Sequence, residues 1–475
     1  MSGFFAKGER KERPGIYKRI RNTGTTATAG AKDGICVAVV RGTWGPLNVA
    51  TTVSNGEDFS HLVGESGSGY DTVNEMFVGG ASSVIVCRVG TGGKEGTVTL
   101  KDTTEAPVDV LTVSAKHVGT RELSVTVKES LVEDGVKNII IYDGTKKLES
   151  FSISEGDGEV EEAVKVLADS AYINVKKGSG GNGKLAIVSQ AKLTGGEDPE
   201  VNTAAYSTGL DTIEAEITGA TAIIAVDTND TAVHTVLASF VRRAYEGGCY
   251  PIGVIGETKE SNLETRMDHA KAFNSELMVY VLGGWSDTSG AAHEGYLAAA
   301  RIAGMTAAIA SNDSLTHKSI LNAVSLTESM TNSQIIKAIK NGCFVVSTSA
   351  TKQVRVEKAI NTLVTPTAEQ DIGWKKLRRV KTRFELMYRV DETVDALVGN
   401  INNDDNGRAA IIAAGQGVID KMAGEQKLLP GGTMVLDSTN PPEGDSAWFL
   451  INADDIDSFE IGYLAYGFRF TPEAE

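Results

Sequence analysis

Between residues 203 and 350 the chain alternates regularly between purely apolar runs and amphipathic ones. "ATAIIAVD" (220–227), "YPIGVIG" (250–256), "ELMVYVLGG" (276–284) and "CFVVSTS" (343–349) are short, continuous and rich in β-branched residues. Runs of this kind suit strands buried on both faces. Between them stand "TAVHTVLASFVRRAYEG", "NLETRMDHAKAFN" and "AAHEGYLAAARIAGM", which read as helices. Consecutive parallel strands need a crossover, and the crossover helices must cover the sheet. The segment therefore predicts an α/β unit with a parallel sheet flanked by helices.

The flanks read differently. Over 93–195, "GTVTLKD", "VDVLTVSAK", "RELSVTVKES", "NIIIYDG" and "KLESFSIS" are β-rich runs punctuated by Gly and Asp, interrupted by one helical patch, "GEVEEAVKVLADS". Their spacing of about ten residues predicts a small sandwich or barrel. Upstream, "GICVAVVRG" and "SSVIVCRVG" are two further strands. Downstream, Ile372, Leu377, Val380, Phe384, Met387 and Asp391 predict a long helix, and "NGRAAIIAAGQGVIDKMAG" a second. A chain of 475 residues exceeds one ordinary core, so about two to four domains are expected. We divide it into an N-terminal arm (1–22), the first part of the core (23–92), an inserted β-rich domain (93–195), the α/β domain (203–350), a C-terminal α+β domain (351–458) and a C-terminal arm (459–475). The fold class is α/β and α+β multidomain, with an inserted β-sandwich or barrel and extended terminal arms.

Charge separates the two ends. Residues 1–22 carry seven bases and two acids, residues 443–475 eight acids and one base, in a chain of net charge −16. That balance speaks against a general nucleic-acid binder. The basic head contains "RPGIYKRI", where Ile16, Lys18 and Ile20 alternate with Tyr17. The acidic tail contains "FEIGYLAYGFRF" (459–470), apolar on both alternating faces and prone to form a strand. A basic extended head and an acidic β-prone tail suit strand addition between chains, with Ile16, Tyr17, Lys18, Ile20, Ile461, Tyr463, Tyr466 and Phe468 as the pairing residues. The four cysteines show no metal or redox spacing and read as buried apolar residues in a reducing compartment. No signal-peptide core and no apolar run of about 18 residues is present, so a soluble cytoplasmic product is expected.

Two stretches invite a catalytic reading. "GSGGNGK" (178–184) fits a phosphate-loop pattern, but Leu185 stands where Ser or Thr is required and strand-like sequence follows, so a hairpin loop is expected. Asp227 ends a buried strand and could serve as the acid of a triad with His269 or His293 and Ser349. Neither histidine lies in a Gly-Thr-His context, and Ser349 lacks the neighbouring glycine that an oxyanion site needs. No cofactor or metal site is expected. "WKKLRRVKTR" (374–383) concentrates bases on the long helix, with Lys375, Arg378 and Arg379 on one side, and suits an acidic partner surface.

These pieces, in this order, resemble a contractile tail sheath protein of myophages and of phage-tail-like bacteriocins of Gram-positive bacteria. The likeness rests on "RPGIYKRI", "GPLNVATTVSNGEDF", the inserted unit ending "LTGGED", "AIIAVD" and "NDDNGRAAIIAAGQGVIDKMAG". It implies a subtilisin-like α/β domain without catalytic role and no enzymatic activity, and it leaves a subtilisin-like serine hydrolase as the alternative. It further implies subunits stacked as six-membered rings around an inner tube, joined by terminal arms, with the tube protein, baseplate and tail terminator as partners. Neither nucleic acid nor membrane is bound by the chain itself. The setting implied is a virion tail or tail-like particle assembled in the host cytoplasm, with the inserted domain outermost. Lys375, Lys376, Arg378 and Arg379, or the helix from Arg408 to Lys421, are the candidates for facing the tube.

Overall fold

The computed structural model describes residues 2–4, 16–18, 35–217 and 221–469. Its centre is an eight-stranded sheet: β1 (Ile35–Val40), β2 (Ala50–Ser54), β3 (Ser83–Arg88), β4 (Ala222–Val226), β5 (Pro251–Gly256), β6 (Met278–Leu282), β7 (Cys343–Thr348) and β8 (Val354–Lys358). The spatial order is β8-β7-β6-β5-β4-β1-β3-β2. The six inner strands run parallel, and β2 and β8 close the edges antiparallel. Every residue of β4, β5 and β6 is buried, which is why their sequences lack alternation. Strands β1 and β3, from before the insertion, belong to this same sheet.

The crossovers are α1 (Ser68–Val78), α2 (Thr203–Ile213), α3 (Thr231–Glu246), α4 (Leu263–Phe273), α5 (Tyr296–Ala308) and α6 (Asn332–Lys340). Helices α1 and α5 pack together closely: a Cβ on Gly304 would lie 2.1 Å from the Met76 carbonyl oxygen, so only glycine fits there. Side chains cap α2, α3, α4 and α6 at Asn202, Asp230, Asn262 and Thr331.

The insertion forms two antiparallel sheets. One pairs Lys146–Ser154, Val136–Asp143, Leu123–Glu129 and Val188–Lys192; the other pairs Ile173–Lys177, Asp109–Ala115 and Thr97–Lys101. Leu111, Val113, Val125, Val127, Ile139 and Ile141 fill the space between them, and the helix Glu159–Leu167 adds Val160, Ala163 and Leu167 to the same core. The insertion leaves and rejoins the α/β unit as two adjacent antiparallel segments, with Thr91 opposite Glu200 and Lys94 opposite Glu197.

The predicted long helix is α7 (Leu377–Asp395), and α8 (Asp405–Gly424) is the second. Trp374, Leu377, Val380 and Phe384 pack into the core of the α/β unit, whereas Val390 and Val394 pack with Ile419, Met422 and Met434 in a small separate core. Helix α7 thus joins two cores. The small core is completed by a two-stranded hairpin, Thr433–Leu436 with Phe449–Asn452.

Candidate functional site

The strand order reverses between β1 and β4, which is where an open α/β sheet usually binds its ligand. Here that position holds Asp227, fully buried at the end of β4. Its carboxylate accepts hydrogen bonds from Ser68 Oγ (2.5 Å), Tyr206 Oη (2.5 Å), the Arg41 backbone N–H (3.1 Å) and Arg41 Nε (3.2 Å). Three of these donors meet at Oδ2 and Tyr206 takes Oδ1, and no histidine ring is among them. The other triad candidates are engaged elsewhere. The His269 ring lies 2.8 Å from Glu257 Oε1, and His293 sits between Glu75 (3.2 Å) and Asp287 (3.3 Å). The Ser349 hydroxyl faces Thr351 Oγ1 at 2.8 Å. Asp227, His269, His293 and Ser349 are not brought together.

Nor does the glycine-rich loop 178–184 cradle a phosphate. The Asp102 carboxylate already accepts the Asn182 N–H (3.0 Å) and the Val108 N–H (2.8 Å), and the next regular element is the strand Val188–Lys192 rather than a helix. A carboxylate in that place repels an anion.

The basic helix requires a correction. Arg378 and Arg379 are not on a solvent-facing patch; they are 5% and 4% exposed. Arg378 Nε donates to the Asn312 carbonyl at 2.5 Å. Arg379 makes a two-pronged bond to Asp455 (2.6 and 2.8 Å), and Arg383 adds a third contact at 2.9 Å. Burial alone would raise the Asp455 pKa, but the two guanidinium groups outweigh it and hold the carboxyl below its ordinary value. Lys381, also buried, donates to the carbonyls of Thr306 and Ile309. Lys376 pairs with Asp457 (2.8 Å) and Glu460 (3.1 Å). Lys375 is half-buried, with its Nζ 3.5 Å from the Lys340 carbonyl oxygen. On α8, Arg408 donates to the Asn403 carbonyl and pairs with Asp405, while Lys421 is exposed.

The acids that neutralise α7 come from the root of the C-terminal tail. That partnership joins residues 76 apart in the chain, and no local spacing announces it. Ile456 is fully buried, the Leu429 N–H bonds the Asp454 carbonyl, and Glu460 also receives the Thr316 hydroxyl at 3.1 Å. Beyond Glu460 the anchoring stops. Residues 461–469 adopt no regular structure and pair with no strand among the described residues, so this part of the β-prone segment joins none of the sheets described above. Ile461 is 61% exposed, and Tyr463 and Phe468 are each 93% exposed, with Leu464 and Tyr466 similar. At the other end, Ile16–Lys18 forms a short strand parallel to Ser2–Phe4 and lies beside α7. Ile20 falls outside the described residues. Among the described residues no helix is long and apolar enough to cross a membrane.

An α/β sheet with its ligand crevice filled by an ion pair, an inserted sandwich, and an apolar tail presented on a charged root together define a structural assembly subunit. Comparison with known proteins identifies the class more closely. Residues 91–198 match the phage tail sheath protein beta-sandwich domain and residues 200–362 the phage tail sheath protein central domain, more than half of the chain between them. The chain is 24% identical over 411 residues to the uncharacterized protein YqbK of Bacillus subtilis, covering 83% of this chain and 82% of that one. It is 22% identical over 415 residues to the phage-like element PBSX protein XkdK of the same organism, with the same coverage. Its fold is similar to that of the sheath tail protein of Desulfitobacterium hafniense (TM-score 0.70, 20% identity, 93% of this chain and 100% of that one). A sheath tail protein of Listeria innocua gives 0.67 at 21% identity, covering 90% and 96%. The helical sheath of the anti-feeding prophage in its contracted state gives 0.52 at 9% identity, covering 96% and 99%. The chain belongs to the phage tail sheath family: it is a tail sheath protein, a structural component of a phage tail or tail-like particle.

Proposed function

We propose that this subunit polymerises as stacked hexameric rings around an inner tube and shortens on a baseplate signal, driving the tube through a bacterial envelope. The observation that carries the reading is the tail. Nine apolar-rich residues, 461–469, stand in solvent on a root held by four ion pairs. A single chain gains nothing from such a segment, and exposed apolar β-prone sequence is an aggregation hazard unless a partner covers it.

The partner is a sheet of a neighbouring subunit. Ile461, Tyr463, Tyr466 and Phe468 from one copy, and Ile16, Tyr17, Lys18 and Ile20 from another, add to the hairpin Thr433–Leu436/Phe449–Asn452, which pairs with no third strand among the described residues. Such contacts are heterologous and propagate instead of closing a dimer. In this reading the chain divides much as the sequence suggested, into arms at 1–22 and 459–475, a core over 23–92 and 203–350 that β8 (Val354–Lys358) extends beyond the expected boundary, the insertion at 93–195 and a C-terminal domain over the remainder to 458. The core is a subtilisin-like domain whose catalytic constellation is replaced by the Arg41–Asp227 network. The insertion faces outward, and α8 faces the tube with Arg408 and Lys421. Tail terminator and baseplate proteins bind the ends of the stack. Assembly takes place in the host cytoplasm, and the energy for contraction is stored during that assembly rather than supplied by a cofactor or by hydrolysis.

The test is deletion of residues 461–475. The variant should remain a folded monomer by circular dichroism and light scattering, and should form no cylinders by negative-stain microscopy under conditions where the full chain does. Normal cylinders from the truncated chain would overturn the role given to the tail.

A further inference from the structure

A second surface stands out beside the tail root. Helix α6 presents Ile336, 46% exposed, and Lys340 one turn later on the same face. The short 3-10 turn Ile372–Lys375 carries Ile372, 67% exposed, eclipsed with Lys375. The two elements meet where Lys375 Nζ approaches the Lys340 carbonyl at 3.5 Å, and Lys358, at the end of β8, adds its charge to the same place. The neighbouring lysines on either side are neutralised: Lys337 by Glu264, and Lys376 by Asp457 and Glu460. Asp371, the acid nearest Lys375 in sequence, is held by Arg383 at 2.9 Å, and Glu357, next to Lys358, accepts from the Ser347 hydroxyl and lies 3.6 Å from Arg355. Lys340, Lys358 and Lys375 have no acidic partner among the described residues. Burial, and then the charge of Lys358, pushes the Lys375 ammonium below its ordinary pKa, and a carboxylate arriving there would favour its charged form.

We infer that this patch receives the acidic end of the tail of a second copy of the chain. The inference rests on the reading of the tail as an intersubunit arm and adds its terminus to it. Chemistry selects the occupant. The tail offers apolar residues through Phe470 and then Glu473 and Glu475, which match two exposed isoleucines set beside three unneutralised lysines. The chain's own residues 461–468 do not pack on this surface, since they are exposed, and the isotope mixture described below separates a second copy's tail from the same copy's. Extended, the stretch from 461 to 473 spans roughly 40 Å, enough to cross a strand-addition site and reach a further surface. Each copy would then hold the next copy's tail end beside the root of its own, linking subunits root to tip in one direction.

The experiment places a photo-crosslinking amino acid at Ala474 in full-length chain and assembles an equal mixture of ¹⁴N and ¹⁵N subunits. Crosslinks within assembled material should join Ala474 to the peptides carrying Ile336–Lys340 or Ile372–Lys375, in isotopically mixed pairs. The variant K340E/K358E, at one exposed and one half-buried lysine, should lower the yield of those crosslinks by about tenfold, in keeping with the loss of a few partly screened charge contacts. A companion variant, Glu473→Lys with Glu475→Lys, should restore it. Crosslinks confined to the hairpin 433–452, to the same copy or to another protein, or a yield indifferent to charge reversal, would overturn the assignment while leaving the tail's role in assembly standing. Failure of the full chain to assemble at all would overturn both.

Discussion

Asp227 shows what a buried charge does when it has no chemistry to perform. A carboxylate with no solvent contact survives only if hydrogen bonds replace its water, and Ser68, Tyr206 and Arg41 supply them. These residues come from α1, α2 and the end of β1, so the group ties the strands on either side of the reversal point to the helices above them. Asp227→Ala should cost about 3 kcal/mol, because it leaves the Tyr206 hydroxyl buried without its partner and frees Arg41. Urea denaturation of the two proteins measures this directly. His293 makes a second prediction of opposite character. The Glu75 carboxylate, and then Asp287, hold its imidazole above the ordinary pKa in spite of burial, and the ring stacks on Trp285 beside Arg301. A histidine whose folded pKa is raised contributes stability that is complete below its unfolded value of about 6.5 and lost as the pH rises through the folded value. The melting temperature should therefore fall as the pH passes from about 6 toward the alkaline side, and His293→Gln should flatten that slope. An unchanged slope in the variant would show that the cluster does not carry the effect.

At the level of elements, α7 and the tail root act as one unit. The Arg379–Asp455 pair is buried on both sides, so breaking it leaves a charge without compensation. Arg379→Ala should cost about 3 kcal/mol and loosen the root. Brief chymotrypsin digestion, which in the parent should cut at Phe459, Tyr463, Tyr466 and Phe468, should in the variant extend upstream to Trp448 and Phe449. Because the Asp455 pKa is lowered, this anchor is fully present above about pH 4, the unfolded value, and is lost only as the pH falls through the lower folded value. Backbone hydrogen exchange over residues 454–460, corrected for its intrinsic pH dependence, should therefore show the same protection at pH 5 as at pH 7. The same helix shows where sequence reading succeeds and fails. Its length and apolar stripe were legible, as were the strands of the parallel sheet, because periodicity and continuous burial are local properties written into neighbouring residues. The fate of Arg378, Arg379 and Lys381 was not. A basic cluster reads as a solvated face until a distant acid is known to cover it, and Asp455 carries no mark of that pairing. Likewise Asp227 was visible as a strand-ending acid, but the donors that occupy it lie on three separate segments.

Over the whole molecule the question is how firmly the sandwich is mounted on the α/β unit. Trp44, from the loop after β1, is almost fully buried in the core of the sandwich, stacked against Tyr172 with the Arg121 guanidinium beside both rings. Arg121 also pairs with Asp143 and donates to the Ser60 carbonyl. Arg88, at the end of β3, donates to the carbonyls of Gly42, Gly45 and Val118, joining both units at one buried cation. These contacts fix orientation, yet none of them belongs to the core of the central sheet. The crossing point is a ready-made place to cut, since Lys94 and Glu197 exchange backbone hydrogen bonds at 3.0 and 3.0 Å, as the last pair before a hairpin turn would. Replacing residues 95–196 by Asn-Gly should close that hairpin with a favourable two-residue turn. Trp44→Gln would accompany it, to avoid exposing an indole. We expect the shortened chain to unfold cooperatively at a somewhat lower temperature, because Arg88 loses one of its three carbonyls. We also expect it to assemble into cylinders of smaller outer diameter by electron microscopy, because tail, tail root and hairpin all lie outside the deleted segment. Cylinders of unchanged diameter would show that the sandwich does not face outward, and loss of assembly would show that it holds contacts between subunits.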